Sequence, residues 1–502
     1  MSSIGGEWTT RGRNSDWQLD SSSNDDGREK PMMTRKRWHT LSPGPLKAKT
    51  FLAYFIFSLL IGFNIFIIAR SFAADSTRLR DLLAIGKCET SNADRNGAFF
   101  DDEYGASSSS PMSCDLCPPG DEFCESIGYH NLAASIVHEG TNTRLHRVLR
   151  KLKNGEPISF GVIGGSVSSG HGLIVRGSTD EKYGPLNLHR QIFDYISAKY
   201  PHPDHKFTNG AVSATGMPGF VKAKEYVDIV TVELAINDIR NLDLQVEYEM
   251  LVRGLLDLPN KPAIINVHTL GLLFDPITQG GDLHLGVAHY YDLPVVSLRS
   301  LIFPPILDDY LAAERFFTMN ARRSETDTFD DMVDYRHINI EGHEILSNLT
   351  RLYIERQFCK LQALDALSAR GEDPTTHSSE WASKHRFETV PKMMVTKMYH
   401  KENNVAPLRP QCFSTMSQKH PLKPAEQSGW EPWSWKDKHY LVAKEPGAKA
   451  SFAFTSEIGI LKVFYQHSGK YGLGQADCWV DDDYHIKKRL ESYWTYPYSL
   501  VG

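Results

Sequence analysis

The sequence predicts an α/β fold for the middle of the chain, in which helices cover both faces of a parallel sheet. The first observation is a set of five apolar stretches that read as strands, at residues 158–163, 207–212, 227–234, 263–270 and 293–298. The second is that helical stretches, such as residues 187–199 and 243–256, lie between them. Nearly continuous runs of Val, Ile and Leu are typical of strands buried on both faces. Their alternation with helices is typical of a parallel sheet.

Length and composition set limits around this domain. A chain of 502 residues with 41% hydrophobic and 23% charged residues is too long for one compact core and too apolar to be broadly disordered. We therefore expect two folded units and tails. The formal net charge of -6 argues against a general nucleic-acid binder, which would need a basic surplus. Seven cysteines are too few for a disulfide-dense miniature scaffold.

The amino-terminal region predicts a tail and a membrane anchor. Residues 1–49 are rich in Ser, Gly and Arg without an apolar period, so we expect them to be disordered. Residues 51–69 carry no charge, and at 1.5 Å per residue they would span about 28 Å, close to the thickness of a bilayer's hydrocarbon core. About fifty polar residues precede this stretch, which favours a retained signal anchor at residues 50–69 over a cleaved signal peptide or a buried core helix.

The flanks of this stretch predict its orientation. Its amino side carries six basic residues with no acid between them: Lys30, Arg35, Lys36, Arg37, Lys47 and Lys49. Basic flanks stay in the cytosol, so everything after residue 69 is expected to be lumenal or extracellular. All seven cysteines lie on that side, which suits an oxidising compartment. The sequence thus predicts a single-pass type II membrane protein of the secretory pathway, with the Golgi favoured, or of the cell surface. A sequon at Asn348 predicts glycosylation.

Further regions flank the α/β domain, which we place at residues 156–365. Residues 70–155 read as a lumenal stem, in which Cys114, Cys117 and Cys124 indicate either a metal knuckle or disulfides. The missing fourth ligand favours disulfides, whose connectivity stays open. After a polar linker at residues 366–405, residues 406–502 contain short strand-like runs and five tryptophans. They predict a β-sandwich-like accessory domain whose aromatic side chains form a sugar platform or, as we favour, a core. The sequence ends within a strand-like run, so further strands are expected beyond it.

Polar residues after the predicted strands indicate where chemistry would occur, because the carboxyl ends of parallel strands meet at one edge of a sheet. The first strand ends in Gly164, Gly165 and Ser166, and glycines beside a serine allow a tight turn that exposes the hydroxyl. The loop also has half of a phosphate-binding pattern, but His171 stands in the place of its lysine. It does not match the G-x-S-x-G elbow, and a plain structural turn is the third interpretation.

Three more residues complete the candidate set. Asn237 directly follows the third strand, where it could instead be a helix cap. Asp334 and His337 are three residues apart, close enough for the carboxylate to hold the imidazole Nδ1–H, although a lone histidine is more often structural. All four residues, in the order Ser166, Asn237, Asp334 and His337, are predicted at strand ends or loops of one sheet.

In this order of motifs the chain resembles the SGNH (GDSL-like) hydrolases over residues 156–365. In that family the serine follows the first strand, the asparagine follows the third, and a D-x-x-H motif precedes the last helix. The resemblance implies a flavodoxin-like three-layer domain in which Ser166 is the nucleophile, His337 the general base and Asp334 its orienting partner. It also implies an oxyanion hole formed by Asn237 and backbone N–H groups, including that of Ala214. The resemblance extends to membrane-anchored fungal and algal members with a comparable β domain.

The chain departs from the family pattern at three positions. Gly165 replaces the aspartate of the G-D-S block, and Ala235 replaces the glycine of the G-x-N-D block. Ala214 stands where a glycine normally donates its amide, and Gly210 and Gly216 are alternative donors.

Together these residues predict acyl-ester chemistry on a glycan, in which Ser166 attacks the ester carbonyl and an acyl-enzyme forms. Transfer of the acyl group to water would make the protein an O-acetyl esterase, and transfer to a sugar hydroxyl would make it an O-acetyltransferase. The sequence does not separate the two. The departures keep a second class open, a catalytically inactive, membrane-anchored glycan-binding protein. No cofactor, metal, nucleotide or nucleic acid is implied.

Overall fold

The computed structural model describes residues 2–7, 114–173, 183–212, 226–273, 279–372, 385–402 and 411–501, with short gaps at 239, 323 and within the last range. The predicted membrane span, the rest of the tail and the stem up to residue 113 lie outside these residues. In the part of the chain that is described, no helix combines the length and the apolar character needed to cross a bilayer.

The first described element is strand β1 (Ser2–Glu7), which belongs to a carboxyl-terminal sheet. The main sheet has six strands: β2 (Ile136–His138), β3 (Ser159–Gly164), β4 (Lys206–Asn209), β5 (Ile229–Glu233), β6 (Ala263–His268) and β7 (Val295–Ser297). Their order is β2-β7-β6-β5-β3-β4, with β2 antiparallel to β7 and all other pairs parallel. The five parallel strands thus follow the flavodoxin-like order 2-1-3-4-5, as predicted. The five predicted strands are confirmed; the first is shifted by one residue, and the other four are shorter than predicted.

The described helices are α1 (Glu122–Ile127), α2 (Tyr129–Ser135), α3 (Thr143–Lys153), α4 (Leu188–Lys199), α5 (Leu242–Leu256), α6 (Gly280–Tyr290), α7 (Arg299–Asp308), α8 (Ala313–Phe316), α9 (Phe329–Met332), α10 (Ile340–Ala369) and α11 (His385–Glu388). Side chains of α3, α4, α7 and α10 share one core with Phe160 and Ile265 of the sheet. Side chains of α5 and α6 share a second core with Val230 and Ile264. The sheet is therefore covered by helices on both faces. Since neighbouring strand residues point to opposite faces, every position of such a strand is buried, which explains the continuous apolar runs.

The α/β domain begins earlier than predicted, because part of the expected stem belongs to it. Helix α3 packs its apolar side, including Leu145 and Leu149, into the first core, and β2 is an edge strand of the sheet. A disulfide joins Cys114 to Cys359 on α10, and a second joins Cys117 to Cys124. The prediction of disulfides is therefore confirmed. The partner of Cys114 could not be read from the sequence, because 245 residues separate the two cysteines.

The predicted linker also packs on this domain in its described part. The Arg144 guanidinium donates to the carbonyl oxygens of Phe387 and Glu388. The buried Glu249 carboxylate accepts hydrogen bonds from the backbone N–H groups of Val395 and Thr396. These long-range bonds involve backbone groups, so the polar composition of the segment contained no sign of them.

The carboxyl-terminal region is rich in strands, as predicted. Strands β8 (Phe317–Met319) and β9 (Val333–Ile338) precede this region. The region itself contains a larger sheet, a hairpin and a pair of short strands, formed by β10 (Glu426–Ser428), β11 (Trp430–Trp435), β12 (Lys438–Ala443), β13 (Lys449–Phe454), β14 (Gln466–His467), β15 (Gln475–Val480), β16 (Asp483–Glu491) and β17 (Leu500–Val501). The five-stranded sheet has the order β10-β13-β1-β15-β16, while β11 pairs with β12, and β14 with β17. Strands β8 and β9 form a separate two-stranded sheet in the α/β domain.

Strand β1 contradicts the prediction of disorder for residues 2–7. It lies between β13 and β15 and is antiparallel to both. Its sequence, SSIGGE, has no apolar pattern. Pairing in a sheet is made by backbone groups, however, so a strand that completes a ladder needs no such pattern.

Candidate active site

The loop after β3 holds Ser166 at the carboxyl edge of the sheet. Three backbone hydrogen bonds close it, from Ser169 N to Gly165 O, from Gly170 N to Val167 O, and from His171 N to Ser166 O at 2.9 Å. Neither glycine before the serine has room for a side chain. A Cβ on Gly164 would overlap the Ser168 side chain, and a Cβ on Gly165 would overlap the Asn237 carboxamide. The packing of Asn237 thus leaves no room in this structure for the aspartate that the resemblance would place at position 165.

Strand β9 presents Asp334 and His337 to this loop. His337 Nδ1 donates to Asp334 Oδ2 at 2.7 Å, and His337 Nε2 is 2.8 Å from Ser166 Oγ. With Nδ1 protonated, Nε2 is the acceptor and the Ser166 hydroxyl is the donor. Serine, imidazole and carboxylate therefore form one hydrogen-bonded chain, the arrangement that lets an imidazole remove the hydroxyl proton.

The two residues lie on a strand of a separate small sheet, not at the rim of the main sheet as predicted. In a regular strand, side chains three residues apart point to opposite faces. Here Phe317 pairs with Ile338 while Thr318 pairs with Asp334, so the residues between them are left out of the ladder. This irregularity turns the side chains of Asp334 and His337 toward each other.

The surroundings of Asp334 favour its ionised form. Burial opposes ionisation, but the hydrogen bond and charge of His337 and the nearby Arg336 guanidinium outweigh it and hold the pKa of Asp334 below its usual range. The backbone N–H and the Nε of Arg336 both donate to Asp334 Oδ1. A carboxylate with both oxygens engaged is fixed in place and keeps Nδ1 of His337 protonated.

Asn237 lies in the turn that follows β5, beside the serine loop. Its backbone N–H donates to Leu234 O at 3.0 Å, and its side chain packs against Gly165. The side-chain oxygen is buried and has no hydrogen-bond partner among the residues that the structure describes. Asn237 is not a helix cap, because α5 begins at Leu242 and is capped by Asn241, whose side chain accepts from Asp243 N. The structure thus excludes the interpretation of Asn237 as a helix cap.

The departure at Ala235 is accommodated by a second glycine. Gly281, in the first turn of α6, has no space for a side chain because the Ala235 Cβ lies there. Gly281 N also donates to Ala235 O at 3.3 Å. The Ala235 methyl group therefore lies against Gly281. The next residue after Asn237, Asp238, is held by a buried hydrogen bond of 2.8 Å to His284.

The backbone donors of the predicted oxyanion hole are described only in part. Ala214 and Gly216 lie outside the described residues. The N–H of Gly210 donates to Val162 O at 3.0 Å, so it extends the sheet and is not available to an oxyanion. Gly210 is thereby removed from the alternatives.

A buried polar network, which was not predicted from the sequence, holds the serine loop through Ser168. Both oxygens of Glu233 accept hydroxyl hydrogen bonds of 2.9 Å, one from Ser168 and one from Thr269. Ser168 Oγ also lies 2.8 Å from His189 Nε2, and His189 Nδ1 lies 2.9 Å from Thr231 Oγ1. Glu233 ends strand β5, whose sequence is IVTVE, and a carboxylate at the end of a buried strand was a sign of the network in the sequence.

The charges in this network are set by burial. Burial raises the pKa of Glu233 to about 7, although hydrogen bonds from Ser168, Thr269 and Gly165 lower it. Burial lowers the pKa of His189 to about 3, so its imidazole is neutral. Near the serine, burial and the neighbouring His337 lower the pKa of His171, although the outer part of this residue is exposed.

The raised pKa of Glu233 predicts a pH dependence of stability. Between pH 4.5 and about 7 the folded protein keeps a proton on Glu233 that the unfolded chain releases, so stability falls as the pH rises through this window. A shift of this size corresponds to roughly 3 kcal/mol. The Glu233→Gln variant has no such proton, and we expect its unfolding midpoint to fall less between pH 5 and pH 8. The exposed Glu156→Gln variant is the control. An unchanged pH dependence in Glu233→Gln would contradict this assignment.

The comparisons with known proteins found similarity to solved structures only. No protein-family model and no curated protein matches the chain. A two-domain esterase active on acetylated mannans, co-crystallized with mannopentaose, is similar over 45% of this chain and 57% of its own, with 22% identity and a TM-score of 0.35. A second structure described as this type of esterase matches over 74% and 87%, with 17% identity and a TM-score of 0.46. An acetylxylan esterase from Geobacillus stearothermophilus matches over 39% and 94%, with 19% identity and a TM-score of 0.27.

Proposed function

We propose that the protein is a serine-dependent acyl-ester hydrolase or acyltransferase of the SGNH type, which acts on O-acetyl groups of glycans. The observation that carries the proposal is the hydrogen-bonded chain of Ser166, His337 and Asp334. Ser166 and Asn237 follow β3 and β5, the two neighbouring strands at which the strand order reverses. In open parallel sheets this is the position at which ligands bind.

The mechanism follows from these positions. Ser166 Oγ attacks the ester carbonyl while His337 Nε2 takes the hydroxyl proton, and the Asp334 carboxylate stabilises the imidazolium that forms. The carboxamide of Asn237, which packs beside Gly165, donates a hydrogen bond to the developing oxyanion. His337 then returns the proton to the leaving sugar oxygen, and the acyl group remains on Ser166. Water or a second sugar hydroxyl, activated by the same imidazole, releases it.

The decisive experiment uses the purified protein with a fluorophosphonate probe and with acetylated polysaccharides. Acetylated mannan and xylan are suitable first substrates, because the similar solved structures include esterases that act on them. Labelling together with acetate release would support an esterase, and labelling with acetyl transfer to an added oligosaccharide would support a transferase. An unlabelled protein that binds these glycans would be the catalytically inactive glycan-binding protein instead.

Asn237→Asp tests the oxyanion role. A carboxylate cannot donate a hydrogen bond and would repel the oxyanion, so we expect turnover to fall by at least about 100- to 1000-fold, which corresponds to about 3–4 kcal/mol. The matched control is Asn241→Asp, four residues away, which keeps its function as the cap of α5 because Asp and Asn cap equally well. Near-normal turnover in a folded Asn237→Asp protein would refute the role.

We also propose that residues 51–69 anchor the protein in a membrane of the secretory pathway, with the tail in the cytosol. For a single span, this placement requires that β1 does not pair with β13 and β15 in the membrane-bound protein, because those two strands would lie on the lumenal side. Protease added to sealed microsomes should remove only the residues before Thr50. Protection of this tail would contradict the anchor's orientation and agree with the pairing of β1. A control in detergent should leave every region accessible.

A further inference from the structure

One polar side chain beside the serine has no task in the acyl transfer described above. The His171 ring lies over that of His337, with ring centroids 4.2 Å apart and an angle of 54° between the ring planes. Its ring makes no hydrogen bond to any residue that the structure describes. An unbonded imidazole at the mouth of a site, with a lone pair directed at no protein donor, is a free ligand for a metal ion.

The backbone holds His171 in this place. Its N–H donates to Ser166 O at 2.9 Å, which closes the serine loop. The following residue, Gly172, has a φ of +103°, and a Cβ there would meet Thr318 Oγ1 and Ile338 O. The loop is thus pressed against β8 and β9, the same two strands that carry Asp334 and His337. His171 and the pair on β9 are therefore fixed relative to one another.

The three side chains have the ligand atoms of a transition-metal site. One ligand atom from each of His171, Asp334 and His337 lies within 4.8 Å of the other two. Two imidazoles and one carboxylate are a ligand set typical of zinc, at about 2.0–2.2 Å from the metal. Small rotations of the side chains would bring the three atoms to that distance, and water would complete a tetrahedron.

We propose that His171, Asp334 and His337 form a reversible binding site for a divalent transition metal such as Zn²⁺, and that binding switches the serine off. The metal enters between Asp334 Oδ2 and His337 Nδ1, which are 2.7 Å apart, and replaces their hydrogen bond. The Nδ1 proton moves to Nε2, so no proton is lost from the ring. Nε2 then donates toward Ser166 Oγ and cannot accept its proton, and the nucleophile is no longer activated.

The chemistry of the ligands determines which ions are expected to bind. Imidazole nitrogen suits Zn²⁺, Co²⁺, Ni²⁺ and Cu²⁺, whereas Mg²⁺ and Ca²⁺ require more oxygen ligands than one carboxylate provides. Inhibition by the first group without inhibition by the second is therefore expected. The inhibition rests on the proposed acyl transfer, but the binding does not, so binding is measured separately.

The binding experiment uses Co²⁺ as a spectroscopic probe of the purified protein. Tetrahedral Co²⁺ has intense visible absorption bands, and we expect one equivalent to bind with such bands in the wild type. His171→Gln should lose the bands or bind at least about 10-fold more weakly, since even changes in residues that only orient metal ligands cost 10- to 100-fold. His130→Gln, which changes an exposed histidine on α2, is the matched control and should bind as the wild type does. Thermal melting shows whether each variant is folded, and His171→Asn is the second variant if His171→Gln is not.

The inhibition experiment measures ester hydrolysis with increasing Zn²⁺, expressed relative to the uninhibited rate of each variant. The zinc concentration for half inhibition should rise at least about 10-fold in His171→Gln and stay unchanged in His130→Gln. Absent Co²⁺ bands in the wild type, or equal binding by folded His171→Gln, would overturn the metal site. Bands that depend on His171 in a protein without esterase activity would support the metal site and refute the proposed function. Esterase activity without metal binding would support the proposed function and refute the metal site.

Discussion

Replacing Ser166 by alanine is expected to abolish both labelling by a fluorophosphonate and hydrolysis of aryl acetates. The hydroxyl 2.8 Å from His337 Nε2 is the group that the imidazole activates, and no other described serine is hydrogen-bonded to His337. Loss of the nucleophile in a serine hydrolase lowers kcat by roughly a million-fold, because the remaining residues cannot form the acyl-enzyme. The variant should fold normally, since its loop is closed by backbone hydrogen bonds.

Ser168, two residues after Ser166, provides the control variant for this prediction. Ser168 Oγ is also 2.8 Å from a histidine Nε2, that of His189, and it donates to Glu233. By hydrogen bonding alone, Ser168 would be a rival nucleophile. It is fully buried, however, so neither a probe nor a substrate reaches it. We expect Ser168→Ala to remain labelled, with a loss of stability. Labelling that persists in Ser166→Ala and disappears in Ser168→Ala would show that the wrong serine has been assigned.

Changing Asp334 to asparagine is expected to slow turnover by about four powers of ten, with the fold intact. Asp334 accepts the Nδ1 proton of His337, and its ionised state stabilises the imidazolium that forms during attack. Asparagine would present an N–H to the ring and favour the tautomer with the proton on Nε2. This nitrogen could then no longer accept the proton of Ser166. Measurements of kcat and KM should show the loss in kcat.

Arg336→Gln is the control for Asp334→Asn, because it removes a charge beside His337 but leaves the Asp334 carboxylate in place. Arg336 donates to the other carboxylate oxygen through an Nε at 3.3 Å, and its side chain is 39% exposed. Exposed ion pairs contribute about 0–1 kcal/mol, so its removal should cost less than about 10-fold in kcat. A folded Asp334→Asn protein that retains turnover within 10-fold of the wild type would contradict the assigned role of Asp334.

The sequence predicted the main sheet because its strands follow a simple rule. Residues 229–233 and 263–268 are buried at every position, and a strand covered on both faces is mostly apolar, without the alternation of a half-exposed strand. Ser166 and Asn237 could be placed at one edge for the same reason, since parallel strands have their carboxyl ends together. The α/β domain was predicted to begin at residue 156, but α3, which lies before it, packs into the first core. The pattern of polar and apolar residues in α3 shows that one side of the helix is buried, but not which part of the protein buries it.

Local sequence determined which five stretches form the parallel strands of the main sheet, which loops carry chemical groups, and that Asp334 and His337 belong together. Only the tertiary structure decided how these groups meet. The irregularity of β9 that turns Asp334 toward His337 depends on its pairing with β8, and the disulfide of Cys114 depends on the position of α10. The support of the serine loop by Glu233, and the place of His171 over His337, likewise result from contacts between distant segments. Spacing along a chain reports local geometry, whereas contacts between distant segments depend on how whole elements pack, which no short pattern contains.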